Sequence, residues 1–578
     1  MSDTEQNYNV QMNSARSELL NNSINDVRAL LRKCTGGKTI PVLKLSKKPF
    51  DARTVLKDPQ AFELRSNKDS ILIYGISDLA LVHGMYYYLE QVGFRFFMPG
   101  ERWTHIPVSD ALNIEITTTT QPSFVNRVLF SQGGFMLNPV DPKNQKKKDW
   151  ELWKQRNRTG QLFKLGGHSW HEFNLKYKDL LVRNPEYLAM VDGKRVSWYP
   201  NAKFNIGNPI IRKLYVQERI EAYEKLLDKY GPNDFRSWGI CVDPSDGVGH
   251  CESPESLALG TVSDRVFLLA NEVAIALRKK YPNAWVYLYA YNMHAAVPKI
   301  KLEPNVYVQV VPYAFQREAA PEVLLNEWAQ KTKQLGIYDY INLPDAHLDQ
   351  PVHDWKEIGT KINHWKNIGV ESVLFETTNA LGPAGLANYL AARMMWDHDL
   401  NESELIQEFF DLNFGNASAE MKTMLSRWAN QYGKQFETPL ALDNLNSASK
   451  LETNGVKAER INQYKSYVQY LKLLHEAGYN NQSNLAKANQ LMNYMWSSYD
   501  SYMVHTSWVQ HLLLTKWNNS SLKSNWNLKS GLNGTWRKVR PETITEIENQ
   551  FKQNLQANNK SFHISSISTP LQTSMRDR

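Results

Sequence analysis

The middle of the chain, from about residue 119 to 400, alternates short apolar runs with longer stretches of helical periodicity. Alternation of this kind is typical of β-α units that build a parallel sheet. The predicted strands are 124–130, 187–191, 237–242, 285–290, 306–311, 337–341 and 373–375, and the clearest helices are 211–230, 263–281, 321–334 and 355–368. With an eighth strand near 165–170, the pattern predicts a (β/α)8 TIM-like barrel over 119–400. A doubly wound sheet is the alternative, but no glycine-rich dinucleotide loop follows any of the strands.

The flanking regions have different patterns. Residues 1–118 combine helical periodicity at 14–34 and 79–92 with a strand at 40–45 and a hairpin at 62–65 and 70–74, which predicts a small α/β accessory domain. Residues 401–560 have helical spacing with recurrent Trp and Tyr, so we expect an α-helical domain packed on the barrel. Residues 561–578 are polar and rich in Ser and Thr, which predicts a flexible tail.

Composition narrows the class of protein. A chain of 578 residues is too long for one hydrophobic core, so several domains are expected. Its 17 Trp, 28 Tyr and 21 Phe suit sugar stacking, but they equally suit large cores. The net charge of +8 is scattered, so we predict no nucleic-acid partner, although an anionic substrate stays open.

The sequence contains little information on the subcellular location of the protein. No apolar run approaches the length of a transmembrane span, so no membrane-spanning segment is predicted. The first residues lack an apolar signal core, which fits a cytoplasmic protein, or a periplasmic, cell-surface or secreted one whose signal has been removed. Three cysteines are too few for a disulfide framework, and a pairing of Cys241 with Cys251 stays open.

Candidate chemistry follows the predicted strand ends, where barrel enzymes place their active sites. Asp243 and Asp246 follow strand 237–242 in a loop that is also rich in turn formers, and Glu376 stands alone at the end of an apolar strand. Other polar and aromatic residues at strand ends are the predicted substrate-binding set: His168, Trp170, Tyr291, Asn292, Tyr313, Asp339, Tyr340 and Asn379. Carboxylates, amides and aromatics together are what is needed to hold and cleave a sugar, although barrel packing is an equal alternative for each tyrosine. His168 and His171 have the spacing of a metal pair, but at a strand end their side chains need not converge, so we predict no metal, and no cofactor motif is present.

Several segments resemble known families. ILIYGISDLALVHGMYYYLEQVGFRFFMPGERWTHIP is similar to the accessory α/β domain that precedes the barrel in α-glucuronidases. WKQRNRTGQLFKLGGHSW, NPEYLAMVDGKR, GICVDPSDGVGHC, LGIYDYINLPD and GVESVLFETTNALGPAGLANYLAARMMWD resemble a bacterial barrel family known as a domain of unknown function, some of whose members are endo-β-N-acetylglucosaminidases. The likeness spans about residues 70–415. Members often carry several cysteines after the Asp-Gly pair, whereas this chain has only Cys251 there.

The resemblance implies a retaining, endo-acting glycoside hydrolase that cleaves β-linked N-acetylglucosamine in complex N-glycans, with an oligosaccharide or glycoprotein glycan as its partner. It favours catalysis assisted by the substrate's own 2-acetamido group. In that scheme Glu376 is the general acid/base and Asp246 orients the acetamido group, although these roles could be exchanged and Asp243 is the reserve. The alternatives are another glycosidase, such as an α-glucuronidase-like hydrolase, and a barrel that binds glycans without cleaving them.

Overall fold

This computed structural model describes residues 10–12, 16–37, 40–51, 53–108, 112, 114–232, 237–247, 249–312, 320–430, 438–478 and 484–526. The predicted substrate-binding residue Tyr313 and the predicted tail at 561–578 lie outside these ranges.

The N-terminal region is a five-stranded sheet covered by two helices. Its elements are β1 (Val10–Met12), α1 (Glu18–Cys34), β2 (Val42–Ser46), β3 (Phe62–Ser66), β4 (Ser70–Gly75), α2 (Asp78–Val92), β5 (Arg95–Phe96), β6 (Thr104–His105) and β7 (Ile116–Thr120). The sheet order is β1-β2-β4-β3-β7, and β3 and β4 form the predicted antiparallel hairpin. Helix α2 ends at Gly93, whose φ of 108° is the left-handed conformation that glycine adopts without strain.

The middle region is built on a curled parallel sheet of six strands. Its elements are β8 (Asn126–Ser131), α3 (Gln145–Arg156), α4 (Ser169–Lys176), α5 (Lys178–Arg183), β9 (Met190–Val191), β10 (Lys194–Arg195), α6 (Pro209–Tyr230), β11 (Gly239–Cys241), α7 (Pro254–Leu257), α8 (Val262–Lys280), β12 (Trp285–Ala290), β13 (Val306–Val310), α9 (Pro321–Lys331), β14 (Leu335–Ile341), α10 (Pro344–His347), α11 (Ile358–Asn367), β15 (Ser372–Thr377) and α12 (Leu381–Trp396). The strand order is β11-β12-β13-β14-β15-β8, with every pairing parallel, and it gives a half-barrel.

Two of the eight predicted barrel strands differ from the structure. At 165–170 the chain is a loop followed by α4, because Gly166 and Gly167 have φ of 111° and 106°, which an extended strand does not allow. At 187–191 a single 3-10 turn (Pro185–Tyr187) is followed by β9, which pairs antiparallel with β10 and not with the parallel sheet. Within the described residues the sheet therefore has six strands, and closure into eight stays a prediction.

The two faces of the parallel sheet have different surroundings. Residues such as Val308, Ile337 and Phe375 are buried in the main hydrophobic core, and the neighbouring α12 and α8 contribute to that core. The alternate residues form the opposite face, which we call the inner face. At one end the inner face holds a small aromatic cluster of Phe163, Trp285, Tyr287 and Tyr307.

The described residues of the C-terminal region are mainly helical, and residues 527–560 of the predicted helical domain lie outside the described ranges. The helices are α13 (Glu402–Phe414), α14 (Ser418–Asn430), α15 (Thr438–Leu451), α16 (Gly455–Ala477), α17 (Leu485–Ser497), α18 (Thr506–Trp517) and α19 (Ser520–Asn525). One hydrophobic core runs from Leu20 through the parallel sheet to Trp526, so all three regions pack together. The three cysteines are free thiols, which leaves Cys241 and Cys251 unpaired. In the described part of the chain, no helix combines the length and apolar character needed to cross a membrane.

Candidate active site at the carboxyl ends of the parallel strands

Glu376 lies on the inner face near the end of β15. In the parallel ladder it is in register with Tyr340 of β14 on one side and Phe130 of β8 on the other. The hydroxyl of Tyr338, two residues before Tyr340 on the same face, donates a hydrogen bond of 2.6 Å to Glu376 Oε2. Because residues in register on neighbouring strands point to the same side, these side chains converge at the mouth of the half-barrel.

The surroundings of Glu376 favour its protonated form. Burial is the main cause that raises the pKa of this carboxyl above its usual value, and the negative charges of Asp345 and Asp246 add to it. Hydrogen bonds from Tyr338 and Gln132 act in the opposite direction, because they stabilise the carboxylate. The net result is a carboxyl group that keeps its proton to higher pH than an exposed glutamate, as a general acid requires.

The Asp243 side chain is buried and hydrogen-bonded to two partners, so it does more than shape a turn. Its side chain is 1% exposed, its Oδ1 lies 2.7 Å from His168 Nδ1, and its Oδ2 accepts the Tyr289 backbone N–H at 2.8 Å. Burial alone would raise the pKa of Asp243, but hydrogen bonding and charge from His168 and His294 hold it below its usual value. In turn, the Asp243 hydrogen bond and charge outweigh burial and raise the pKa of His168. The pair thus holds a partly exposed, readily protonated imidazole at the mouth.

Asp246 is exposed on the same loop. Its Oδ1 accepts the N–H of Gly247 at 2.8 Å, and Gly247 has a φ of 86°. Beneath the loop, the buried Lys203 ammonium donates to the carbonyl oxygens of Ser245 and Asp246, the latter at 2.9 Å. Burial lowers the pKa of Lys203 to about 8, although the charges of Asp243 and Asp246 oppose this. The loop that carries Asp246 is therefore anchored from inside the protein.

Tyr340, Tyr291 and Asn292 also lie at strand ends. The Tyr340 ring packs against Tyr338 at 5.5 Å between centroids, on the face that bears Glu376. Tyr291 and Asn292 directly follow β12, and Asn292 begins a 3-10 turn with a φ of 50°. Both are half-buried, and the charge of Tyr291 is among the causes that raise the pKa of Tyr340, after burial.

The structure places three predicted substrate-binding residues away from the inner face. Trp170 is fully buried and stacks on Phe204 at 4.3 Å, because α4 begins at Ser169 and directs the indole into the core. Asp339 points to the opposite side of β14 from Tyr338 and Tyr340, where the Lys361 ammonium lies 3.3 Å from its carboxylate. Both side chains therefore make contacts within the protein on sides away from the mouth, and the geometry gives no support for the predicted sugar contacts.

Asn379 is the third predicted substrate-binding residue that lies away from the inner face. It is buried, and its amide donates to Ser131 Oγ at 3.0 Å and to the Gly134 carbonyl at 3.3 Å. The amide therefore ties the loop after β15 to the loop after β8 and offers its nitrogen to the protein rather than to a ligand.

Two residues in contact with Glu376 were absent from the predicted set. Tyr338 could have been found from the period-two alternation of β14, which puts Tyr338 and Tyr340 on one face and Asp339 on the other. Gln132 follows β8 and carried no signal beyond its polar character at a strand end. Its side-chain oxygen also accepts the backbone N–H of Asp345 at 3.0 Å, which links two loops around Glu376.

One cluster among the described residues has the geometry to hold a metal ion. Asp397, His398 and Asp399 offer ligand atoms within 4.8 Å of one another, just after α12. His398 Nδ1 lies 2.9 Å from Ser123 Oγ, which places the cluster near the amino end of β8, at the opposite end of the sheet from Glu376. It is therefore not part of the candidate site.

Known proteins of similar structure are glycoside hydrolases. The family 89 enzyme of Clostridium perfringens, in complex with its substrate GlcNAc-α-1,4-galactose, superposes with a TM-score of 0.51 at 11% identity, covering 94% of this chain and 76% of that one. The GH115 4-O-methyl-α-glucuronidase BtGH115A gives 0.47 at 9% identity, covering 93% and 78%. A β-N-acetylhexosaminidase from Bacteroides fragilis gives 0.40 at 10% identity, covering 68% and 87%. At 11% identity, the superposition on the family 89 enzyme shows a shared fold of mixed α/β architecture and nothing more.

Sequence comparison identifies the family. No curated protein matches this chain in sequence. The family model described as Domain of unknown function (DUF4838) matches residues 98–426, which include β8 to α13 and every residue of the candidate site. This match covers more than half of the chain, and the protein belongs to the DUF4838 family.

Proposed function

We propose that this protein is a glycoside hydrolase that cleaves β-linked N-acetylglucosamine within complex N-glycans. The observation that carries the proposal is the pair formed by Glu376 and Asp246. Glu376 is a partly buried carboxyl with a raised pKa, and Asp246 is an exposed carboxylate whose charge contributes to that rise. A carboxyl group that keeps its proton, acting together with a second carboxylate, is the usual machinery of glycosidic bond cleavage.

The pair supports a substrate-assisted, retaining mechanism. Glu376 gives its proton to the glycosidic oxygen as that oxygen leaves. Asp246 accepts the N–H of the 2-acetamido group and orients it, so that the acetamido carbonyl oxygen attacks C1 and forms an oxazolinium ring. Water then attacks C1 and loses a proton to Glu376, which restores the acid and retains the configuration. The hydrogen bond from Tyr338 holds the Glu376 carboxyl in place for both proton transfers.

The choice of N-acetylglucosamine and of endo action rests on the resemblance to family members with that activity. A second candidate is an α-glucuronidase-like hydrolase, and one observation favours it. His168 lies at the mouth with a raised pKa, and its cationic form would attract a sugar carboxylate. The two candidates differ in whether the substrate must carry a 2-acetamido group.

Substitution of Glu376 tests the proposal. We expect Glu376→Gln to lower kcat/KM on released complex N-glycans by about 10²–10⁴-fold, the usual contribution of a general acid/base, while glycan binding is kept. Glu371→Gln is the matched control, because it makes the same change just before β15, at the amino end of that strand. Product masses identify the bond cleaved. Full turnover by Glu376→Gln would refute the catalytic role, and equal activity on glycosides that lack the acetamido group would refute substrate assistance.

A further inference from the structure

Phe130 is a large apolar side chain that stays half exposed within the candidate site. It lies at the end of β8 with 50% of its surface accessible, whereas its neighbours Leu129 and Ser131 are 2% and 5% exposed. The alternation of β8 puts the two neighbours on the helix-covered side and Phe130 on the inner face. The ring therefore faces the open mouth of the half-barrel and not the core.

The register of the sheet puts Phe130 directly beside Glu376. The two residues are partners in the parallel ladder between β8 and β15, and neighbouring strands lie about 4.8 Å apart. On the other side of Glu376, Tyr338 and Tyr340 pack against each other and are half-buried. Glu376 thus stands between a packed pair of tyrosines and an accessible phenyl ring.

Folding does not explain this ring. Within the described residues Phe130 belongs to neither of the two hydrophobic clusters, so it adds little to the core. An exposed aromatic face beside a polar, carboxylate-bearing mouth instead suits a ligand that is flat, apolar on one face and polar at its rim. A pyranose ring has this character, since its axial C–H groups form an apolar face and its hydroxyls lie around the edge.

The geometry points to Phe130 as the stacking platform for the pyranose unit whose glycosidic oxygen Glu376 protonates. This inference rests on the proposed function and adds a binding contact to it. The occupant is the uncharged ring face of an N-acetylhexosamine or of the hexose next to it. In the complex, the sugar would cover the phenyl ring and exclude water from the side of Glu376 that faces β8.

Binding of a released biantennary complex N-glycan to Glu376→Gln protein tests the inference, because that background leaves the glycan uncleaved. We expect the additional change Phe130→Ala to weaken binding at least about tenfold by calorimetry, which is about 1.4 kcal/mol. Phe130→Trp and Phe130→Tyr keep a ring, so they should bind within about threefold of the parent. Tyr230→Ala is the control, because Tyr230 is an aromatic side chain with 60% exposure at the end of α6, away from the site.

The outcomes separate this inference from the proposed function. If the wild-type protein cleaves the glycan and Phe130→Ala binds as tightly as its parent, the platform is refuted and the hydrolase stands. The platform is also refuted if Phe130→Trp and Phe130→Tyr weaken binding as much as Phe130→Ala, because the effect would then not follow the ring. If the Glu376→Gln parent does not bind the glycan and the wild-type protein does not cleave it, the proposed function fails and the platform fails with it. Thermal unfolding of each variant should be unchanged, since the ring lies outside the core.

Discussion

At the scale of single residues, opposing influences set the acidity of Glu376. Burial and the charges of Asp345 and Asp246 raise its pKa, while the Tyr338 hydroxyl lowers it. Burial and the nearby Glu376 charge also raise the pKa of Tyr338, so this phenol stays protonated and remains a donor. A general acid must be protonated to act, and activity therefore falls as pH rises through the pKa of Glu376.

Tyr338→Phe should move the alkaline limb of the pH–rate profile to higher pH. The change removes a 2.6 Å hydrogen bond that stabilises the carboxylate, so the pKa of Glu376 rises further and its proton is kept longer. The measurement is kcat/KM on a released complex N-glycan across pH. We expect a lower maximum rate as well, because the carboxyl loses a positioning contact. A limb that stays in place or moves to lower pH would contradict this role for Tyr338.

At the scale of elements, the sequence predicted strands well where an apolar run is continuous and poorly where glycines intervene. Strand 285–290 was predicted at its observed bounds, since all six of its side chains are buried. The eighth strand at 165–170 was not, because the dihedral angles of Gly166 and Gly167 depend on tertiary contacts such as the Gly167 N–H bond to the Tyr289 hydroxyl.

The same limit applies to the candidate site. Glu376, Asp246 and Tyr340 were predicted from their positions at or just after the ends of apolar strands. His168 was predicted from a strand at 165–170 that the structure does not contain, so its position did not follow from a strand end. Position at a strand end does not by itself give the face, and Asp339 was assigned to the site although the period-two alternation of β14 puts it on the side of α11. Partners across loops, such as Gln132 and Asp345, depend on side-chain contacts that no local pattern encodes.

Asp339→Asn therefore should affect stability and not catalysis. The change removes the charge that pairs with Lys361 at 3.3 Å, and the loss should cost about 1–2 kcal/mol of unfolding free energy because the carboxylate is buried while the ammonium is partly exposed. Urea unfolding measures this cost. We expect kcat/KM to change less than about twofold. Tyr340→Phe, one residue later on the inner face, is the comparison and should lower kcat/KM. A catalytic defect in Asp339→Asn similar to that of Tyr340→Phe would contradict the assignment of faces.

At the scale of the whole molecule, the C-terminal helices reach the mouth of the half-barrel. Trp508 of α18 donates its indole N–H to Asp345 Oδ1 at 2.7 Å. The loop after β8 has Gly133 at the contact point, where a Cβ would come within 2.3 Å of the indole ring, so only glycine lets Trp508 approach. Asp345 in turn is one of the charges that raise the pKa of Glu376. Trp508 and Asp345 therefore connect the C-terminal helices to Glu376, the proposed general acid.

Trp508→Phe should shift the alkaline limb of the pH–rate profile to lower pH, opposite to Tyr338→Phe. Without the indole N–H, the Asp345 carboxylate is free to turn towards solvent, its charge is better screened, and the pKa of Glu376 falls. Asp345→Asn removes the charge outright and should shift the limb in the same direction. Trp517→Phe is the matched control: it removes an indole N–H bond of 3.0 Å to the Gly478 carbonyl at the far end of the same helix, so it should lower stability and leave the pH profile in place. Equal shifts in Trp508→Phe and Trp517→Phe would mean that the helix acts only through overall stability, and the connection through Asp345 would be wrong.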